Sequence, residues 1–271
     1  MNSSQAHFPS VAQAALLLLA NFLLQYALLA LLFDLRHFAG LTEDQTQALV
    51  MVLANGIVLV SAMHYSRIRY GELMHATKSS VSATLMLLLP PILLLVPLVL
   101  LLDHALLTVV EQVLPLSRWE EQAFSSMVAG SLPAVIATCV LAPVLEEMLF
   151  RGILLRAFLN QYPRWAAIFY SALLFGAAHM NVYQFLLALW LGVLLSWLYE
   201  RSRSLLPCIA LHAAVNTAVY VLEQMKASQN QPFLDAADVS TWLAALAAAA
   251  LGAFVLRRVL VGSNRRTGEA V

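Results

Sequence analysis

The chain has 271 residues, 61% of them hydrophobic and only 11% charged. A soluble domain faces water with about a quarter of its residues charged, so water is excluded as the main solvent and the composition points to an all-α, polytopic membrane bundle. Fifteen Lys plus Arg balance fifteen Asp plus Glu, which leaves no electrostatic footprint for a nucleic-acid partner and makes the lipid bilayer the expected surroundings.

A hydrocarbon core about 30 Å thick takes roughly 20 apolar residues per helix, so apolar stretches between charged clusters can be read as spans. Eight are predicted. The first, Val11 to Phe33, has no basic segment before it and is too long for a signal-peptide core, so it reads as a retained span. Ala48 to Met63 and Val81 to Leu102 come next, and Pro90, Pro91 and Pro97 are expected to bend the latter because each removes a backbone N–H. Glu111 to Phe124 reads as an interfacial segment. Pro133 to Phe150 is the fourth span. Trp165 to Tyr199 carries no Lys, Arg, Asp or Glu and would be about 50 Å long as one helix, so it must fold back, near Asn181, into a fifth and a sixth span. Leu205 to Leu222 and Val239 to Leu256 complete the set.

Assigning alternate loops to alternate sides places twelve of the fifteen basic residues on one side, against Arg36, Arg118 and Lys226 on the other. The positive-inside rule then predicts both termini in the cytoplasm, with the inner membrane of a bacterium as the expected location. Cys139 and Cys208 both lie in apolar runs and read as small buried hydrophobes.

An ionisable side chain inside a span costs about 2.5 to 3.5 kcal/mol on insertion scales, so each asks for a partner or a function. They gather in the second half of the chain: Glu146, Glu147 and Arg151 around the end of the fourth span, His179 at the end of the fifth, and His212 with Asn216 in the seventh. Glu147 and Arg151 have i, i+4 spacing with the acid first, the favourable order for an ion pair, expected where the helix leaves the membrane. Glu146 is turned about 100° from Glu147 and is available for another role. His212 and Asn216 share one helix face. The small residues Gly176, Ala177 and Ala178 before His179, and Ala213 and Ala214 after His212, allow close helix approach. A carboxylate, two imidazoles and an amide in a partly dry cavity supply what peptide hydrolysis needs: a base for water, a proton donor for the amine and donors for an oxyanion. Helix rises put Glu146 and His212 at similar depth, about 10 Å from the inner side, and His179 about 21 Å above Trp165, so the fifth helix is expected to tilt or to begin below the surface. Asp103 and His104 read as a pair at the outer interface, and His7, His37, His64 and His75 as solvated.

Glu146-Glu147-x-x-x-Arg151, Phe175-x-x-x-His179 and His212-x-x-x-Asn216, in that order on separate spans, resemble the motifs of the CPBP intramembrane proteases. That family joins CAAX prenyl endopeptidases to bacteriocin-processing and related bacterial enzymes. The resemblance covers about 90 residues, Pro133 to Leu222, and divides the chain into N-terminal helices (1–132), a protease-like core (133–222) and a last helix with a basic tail (223–271). It implies an intramembrane endopeptidase acting on a membrane-associated or lipid-modified polypeptide. Glu146 would activate water with help from His179, His212 and Asn216 would hold the oxyanion, and Glu147 with Arg151 would brace the helix. It leaves zinc open; the helical His-Glu-x-x-His motif is absent, which favours chemistry without a cofactor. A silent scaffold or bacteriocin-immunity protein of the same fold is the competing reading. A proton-coupled transporter would require repeated halves, and none is evident.

Overall fold

The structure, a computed structural model, describes residues 8–118, 120, 131–229 and 238–262. His7, Lys226, part of the interfacial segment and the basic tail lie outside these residues or the side chains described within them. The described residues are helical throughout, joined by short connections. The helices are α1 (Val11–Ala39), α2 (Glu43–Ser66), α3 (Tyr70–Met74), α4 (Val81–Leu93), α5 (Val96–Val113), α6 (Leu132–Leu159), α7 (Arg164–Ala177), α8 (Val182–Ser202), α9 (Leu206–Gln229) and α10 (Val239–Gly262). Seven are long and apolar enough to cross a bilayer, while α4 and α7 are shorter apolar helices. The predicted third span is thus two helices, broken at Leu94 and Leu95 just after Pro90 and Pro91.

Local chemistry sets the ends. Ser10 with Gln13 and Thr42 with Gln45 form capping boxes that satisfy the first backbone donors of α1 and α2. Gly40, at φ 66, closes α1 in the left-handed conformation that costs glycine little. Helix α1 runs six residues beyond the predicted Phe33, through Asp34, Arg36 and His37, because charge marks the edge of the apolar layer rather than the end of a helix.

The chain forms two compact units. The first consists of Met1–Ala76 and Gly130–Trp197. In it α1 lies along α2, joined by a hydrogen bond from Asn21 Nδ2 to Asn55 Oδ1 at 3.2 Å, and α2 packs on α6. Helix α6 packs in turn on α3 and α7. Leu16, Leu23 and Leu31 of α1 are each at least 60% exposed. Such surface is intolerable in water and ordinary in lipid.

The second unit consists of Thr77–Ala129 and Leu198–Val271, where α9 and α10 each pack on α4 and α5. Its tightest approach is at Gly252, where a Cβ would lie 2.5 Å from the Pro91 carbonyl oxygen. Helix α8 begins in the first unit and ends in the second.

Candidate catalytic site

Helix α6 carries the two acids and is not a regular α-helix. Ala137–Leu141 and Met148–Leu155 are π-helical, flanking the α-turns Ala142–Glu147 that hold Glu146 and Glu147. Pro143 accounts for the first widening: it has no N–H to donate, and its ring would crowd the Cys139 carbonyl in a tight α-turn. The wider winding makes the angular step per residue smaller than the 100° of an ideal helix.

Glu147 and Arg151 form the predicted ion pair, Arg151 Nη1 donating to Glu147 Oε1 at 2.8 Å. Its setting differs from the expectation of a membrane exit. Both side chains have 0% exposure, because α7 and α8 cover this face of α6. Arg151 Nη2 donates to the Gly192 carbonyl of α8 at 3.2 Å, and the guanidinium lies 4.3 Å from the centre of the Phe175 ring of α7. One cation thus binds three helices together. Gly192 makes room for this contact, since a Cβ there would come within 3.1 Å of Ala172 and 3.2 Å of the Phe175 ring.

Phe175 leads from the ion pair to His179. The two rings meet edge-on at 5.2 Å, and His179 Nδ1 lies 2.9 Å from the Phe175 carbonyl oxygen. A carbonyl only accepts, so Nδ1 carries a proton and Nε2 is the ring nitrogen left to other partners. Phe175 is itself wedged edge-on against Phe150 of α6 at 5.1 Å, and Ser171 Oγ donates to the Phe150 carbonyl at 3.1 Å. Helix α6, bearing Glu146, and α7, leading to His179, are therefore locked together by Arg151, Phe150, Phe175 and Ser171. Of these, Phe150 and Ser171 had no sequence signal.

The predicted fold-back occurs at Asn181, whose Oδ1 accepts from the backbone N–H groups of Tyr183 and Gln184 and caps α8. Met180 beside it adopts φ 52. Gly176 is required in this hairpin, because a Cβ would lie 2.9 Å from the Phe185 carbonyl oxygen. Helix α7 is about 21 Å long, shorter than the hydrocarbon core.

In the second unit His212 and Asn216 stand one turn apart on α9, His212 buried at 4% exposure and Asn216 half-buried. The start of α9 is fixed by Ser204, whose Oγ accepts from the Leu206 N–H at 3.3 Å. Asp103 is buried and His104 exposed, so they do not share the outer-interface setting expected of them. Cys139 and Cys208 are buried, as predicted, and are not joined in a disulfide. Among the described residues of each unit taken by itself, no three His, Cys, Asp or Glu side chains are grouped to hold a metal ion.

This stretch of helices, with its paired acids and two histidines, is where a known family matches. Residues 128–218 fit the family model of the type II CAAX prenyl endopeptidases, Rce1-like. The resemblance read from the three motifs is thereby borne out, since that interval contains Glu146, Glu147, Arg151, His179, His212 and Asn216. The chain is 26% identical over 102 residues to "Putative membrane peptidase YdiL" of Bacillus subtilis (38% of this chain, 42% of the relative). It is 31% identical over 120 residues to "UPF0177 protein YaiF" of Lactococcus lactis (44% and 52%), and 40% identical over 97 residues to an "Uncharacterized 24.3 kDa protein" of Escherichia coli (32% and 44%). The chain spans about half the length of the curated relatives it matches. No solved structure matches. With its apolar helices and this family likeness, the chain is an integral membrane protein.

Proposed function

We propose that the chain is an intramembrane endopeptidase of the glutamic type, cleaving a peptide bond in a membrane-associated or lipid-modified polypeptide at the inner membrane of a bacterium. The observation that carries this reading is the coincidence of the peptidase-like interval 128–218 with the buried scaffold around Glu146 and His179. Glu147 is committed to Arg151, so the adjacent acids divide the work: Glu147 braces α6, and the half-buried Glu146 serves as the base that takes a proton from the attacking water. His179, with Nδ1–H held by the Phe175 carbonyl, offers Nε2 to help orient that water and later to shuttle its proton to the leaving amine. His212 and Asn216 donate to the oxyanion of the tetrahedral intermediate.

The test compares the polypeptide termini of the membrane proteome in cells carrying the wild-type chain or Glu146→Ala. The expected result is a set of termini that vanish with the variant. Identical termini, with the variant folded and inserted at the wild-type level, would refute the mechanism and favour the silent-scaffold reading.

A further inference from the structure

At the C-terminal end of α2 an open groove of about 610 Å³ is lined by Val60, Met63, His64, Arg67, Ile68, Arg69 and Tyr70. None of its lining residues is a site residue or falls in the sequence interval matched to the peptidases. Its polarity changes along its length. Val60 and Met63 belong to the apolar part of the spanning helix, while Arg67 and Arg69 lie just past its last residue, Ser66, with the aromatic Tyr70 beside them. The apolar end therefore sits at acyl-chain depth and the basic end at headgroup depth, whichever way the chain is inserted.

Arg67 is the informative residue. It occupies the left-handed conformation, φ 53, a position that glycine fills at less cost, and its backbone N–H is used to bond the His64 carbonyl. The backbone thus needs nothing from an arginine side chain here. Among the described residues that side chain is exposed and makes no ion pair, hydrogen bond or ring contact. Arg69, by contrast, is held by Glu72 at 2.8 Å, and Arg156 donates to the Glu72 backbone carbonyl at 3.2 Å. Arg69 is thus paired with the Glu72 carboxylate, while Arg67 adds a cation to the groove's basic end that, among the described residues, no carboxylate holds.

We propose that this groove binds an anionic phospholipid, its phosphate on Arg67 and Arg69 with His64 alongside, and its first acyl carbons along Met63 and Val60. The planar guanidinium of Arg67 suits a phosphate bidentately, and the groove's gradient from apolar to basic matches the amphiphile from tail to head.

The experiment uses the purified full chain in neutral detergent and counts bound lipid by native mass spectrometry. Dioleoylphosphatidylglycerol is titrated against dioleoylphosphatidylcholine, with inorganic phosphate as a separate arm. The wild type is expected to retain the glycerol lipid in preference to the choline lipid. Arg67→Gln should weaken that binding about tenfold, the loss of one charge-assisted bidentate contact. Arg67→Lys should fall between the two, because it keeps charge but not the fork. Arg257→Gln, an exposed arginine on α10 outside the groove, should bind as the wild type does. Unfolding temperatures of all three variants confirm that each is folded. Equal binding of phosphatidylglycerol by wild type and Arg67→Gln would overturn the proposal, as would equal affinity for the two lipids. Inorganic phosphate binding as tightly as the lipid would also overturn it, by moving the ligand's source to solution.

Discussion

Replacing Arg151 with Met keeps much of the side chain's length and strips Glu147 of its 2.8 Å ion pair. Both side chains have 0% exposure, so the carboxylate cannot recover the lost interaction from solvent. Removing one partner of a buried pair costs about 3–5 kcal/mol. Loss of the guanidinium over Phe175 adds on the order of 1 kcal/mol, and the Gly192 carbonyl loses its donor as well. A destabilisation of roughly 4–6 kcal/mol is large beside the typical 5–15 kcal/mol stability of a domain. The assay is denaturation of the purified chain in detergent, followed by tryptophan fluorescence. Glu147→Gln combined with Arg151→Met should be less damaging than Arg151→Met alone, because the double variant buries no unpaired charge. An Arg151→Met variant within about 1 kcal/mol of the wild type would refute the assignment of Arg151 as the tie between α6, α7 and α8. So would strictly additive effects in the cycle.

Gly252→Ala should lower the unfolding temperature through the second unit, since a Cβ 2.5 Å from the Pro91 carbonyl forces α10 and α4 apart, at a cost of about 1–3 kcal/mol; an unchanged transition would contradict that close approach. Asp238, ahead of α10, accepts from the hydroxyl groups of Ser240 and Thr241 and the Ser240 N–H, which hold its carboxyl down at about 2. Its folded value is depressed, so this stabilisation is complete above the ordinary carboxylate value of 3.8 and is lost as pH falls toward 2. Amide exchange at Ser240 should therefore quicken over that window in the wild type and be pH-insensitive, beyond the intrinsic rate, in Asp238→Ala. Chelator added to the purified chain should leave peptide hydrolysis intact; loss of activity restored by zinc would reverse that expectation.

Most spans were legible because lipid punishes charge, but the third was not: it is two helices, and the second of them runs on through Asp103 and Glu111. The fold-back near Asn181 was equally legible, since 35 uncharged residues are too long for one crossing and Asn caps well. The Glu147–Arg151 pair could be read from its spacing, but its burial could not. The cover comes from α7 and α8, and the Gly192 carbonyl that accepts from Arg151 is a backbone group that leaves no trace in a side-chain pattern. The proton on His179 Nδ1 was hidden for the same reason, being set by the Phe175 carbonyl. The irregularity of α6 was not read from the sequence, although Pro143 accounts for the first of its two π-helical segments.

Those two π-helical segments change how distance along α6 should be counted. A π turn stores one residue more than an α turn, so a chain that loses a residue within Ala137–Leu141 can absorb the change there by reverting to an α turn and keep the downstream turns in phase. Within Ala142–Glu147 the same event would swing each later side chain by about 100° and separate Arg151 from Phe175. Length variation and point substitution are thus unequal hazards for this helix: its acids ride on a short stretch of fixed gauge between two slack ones.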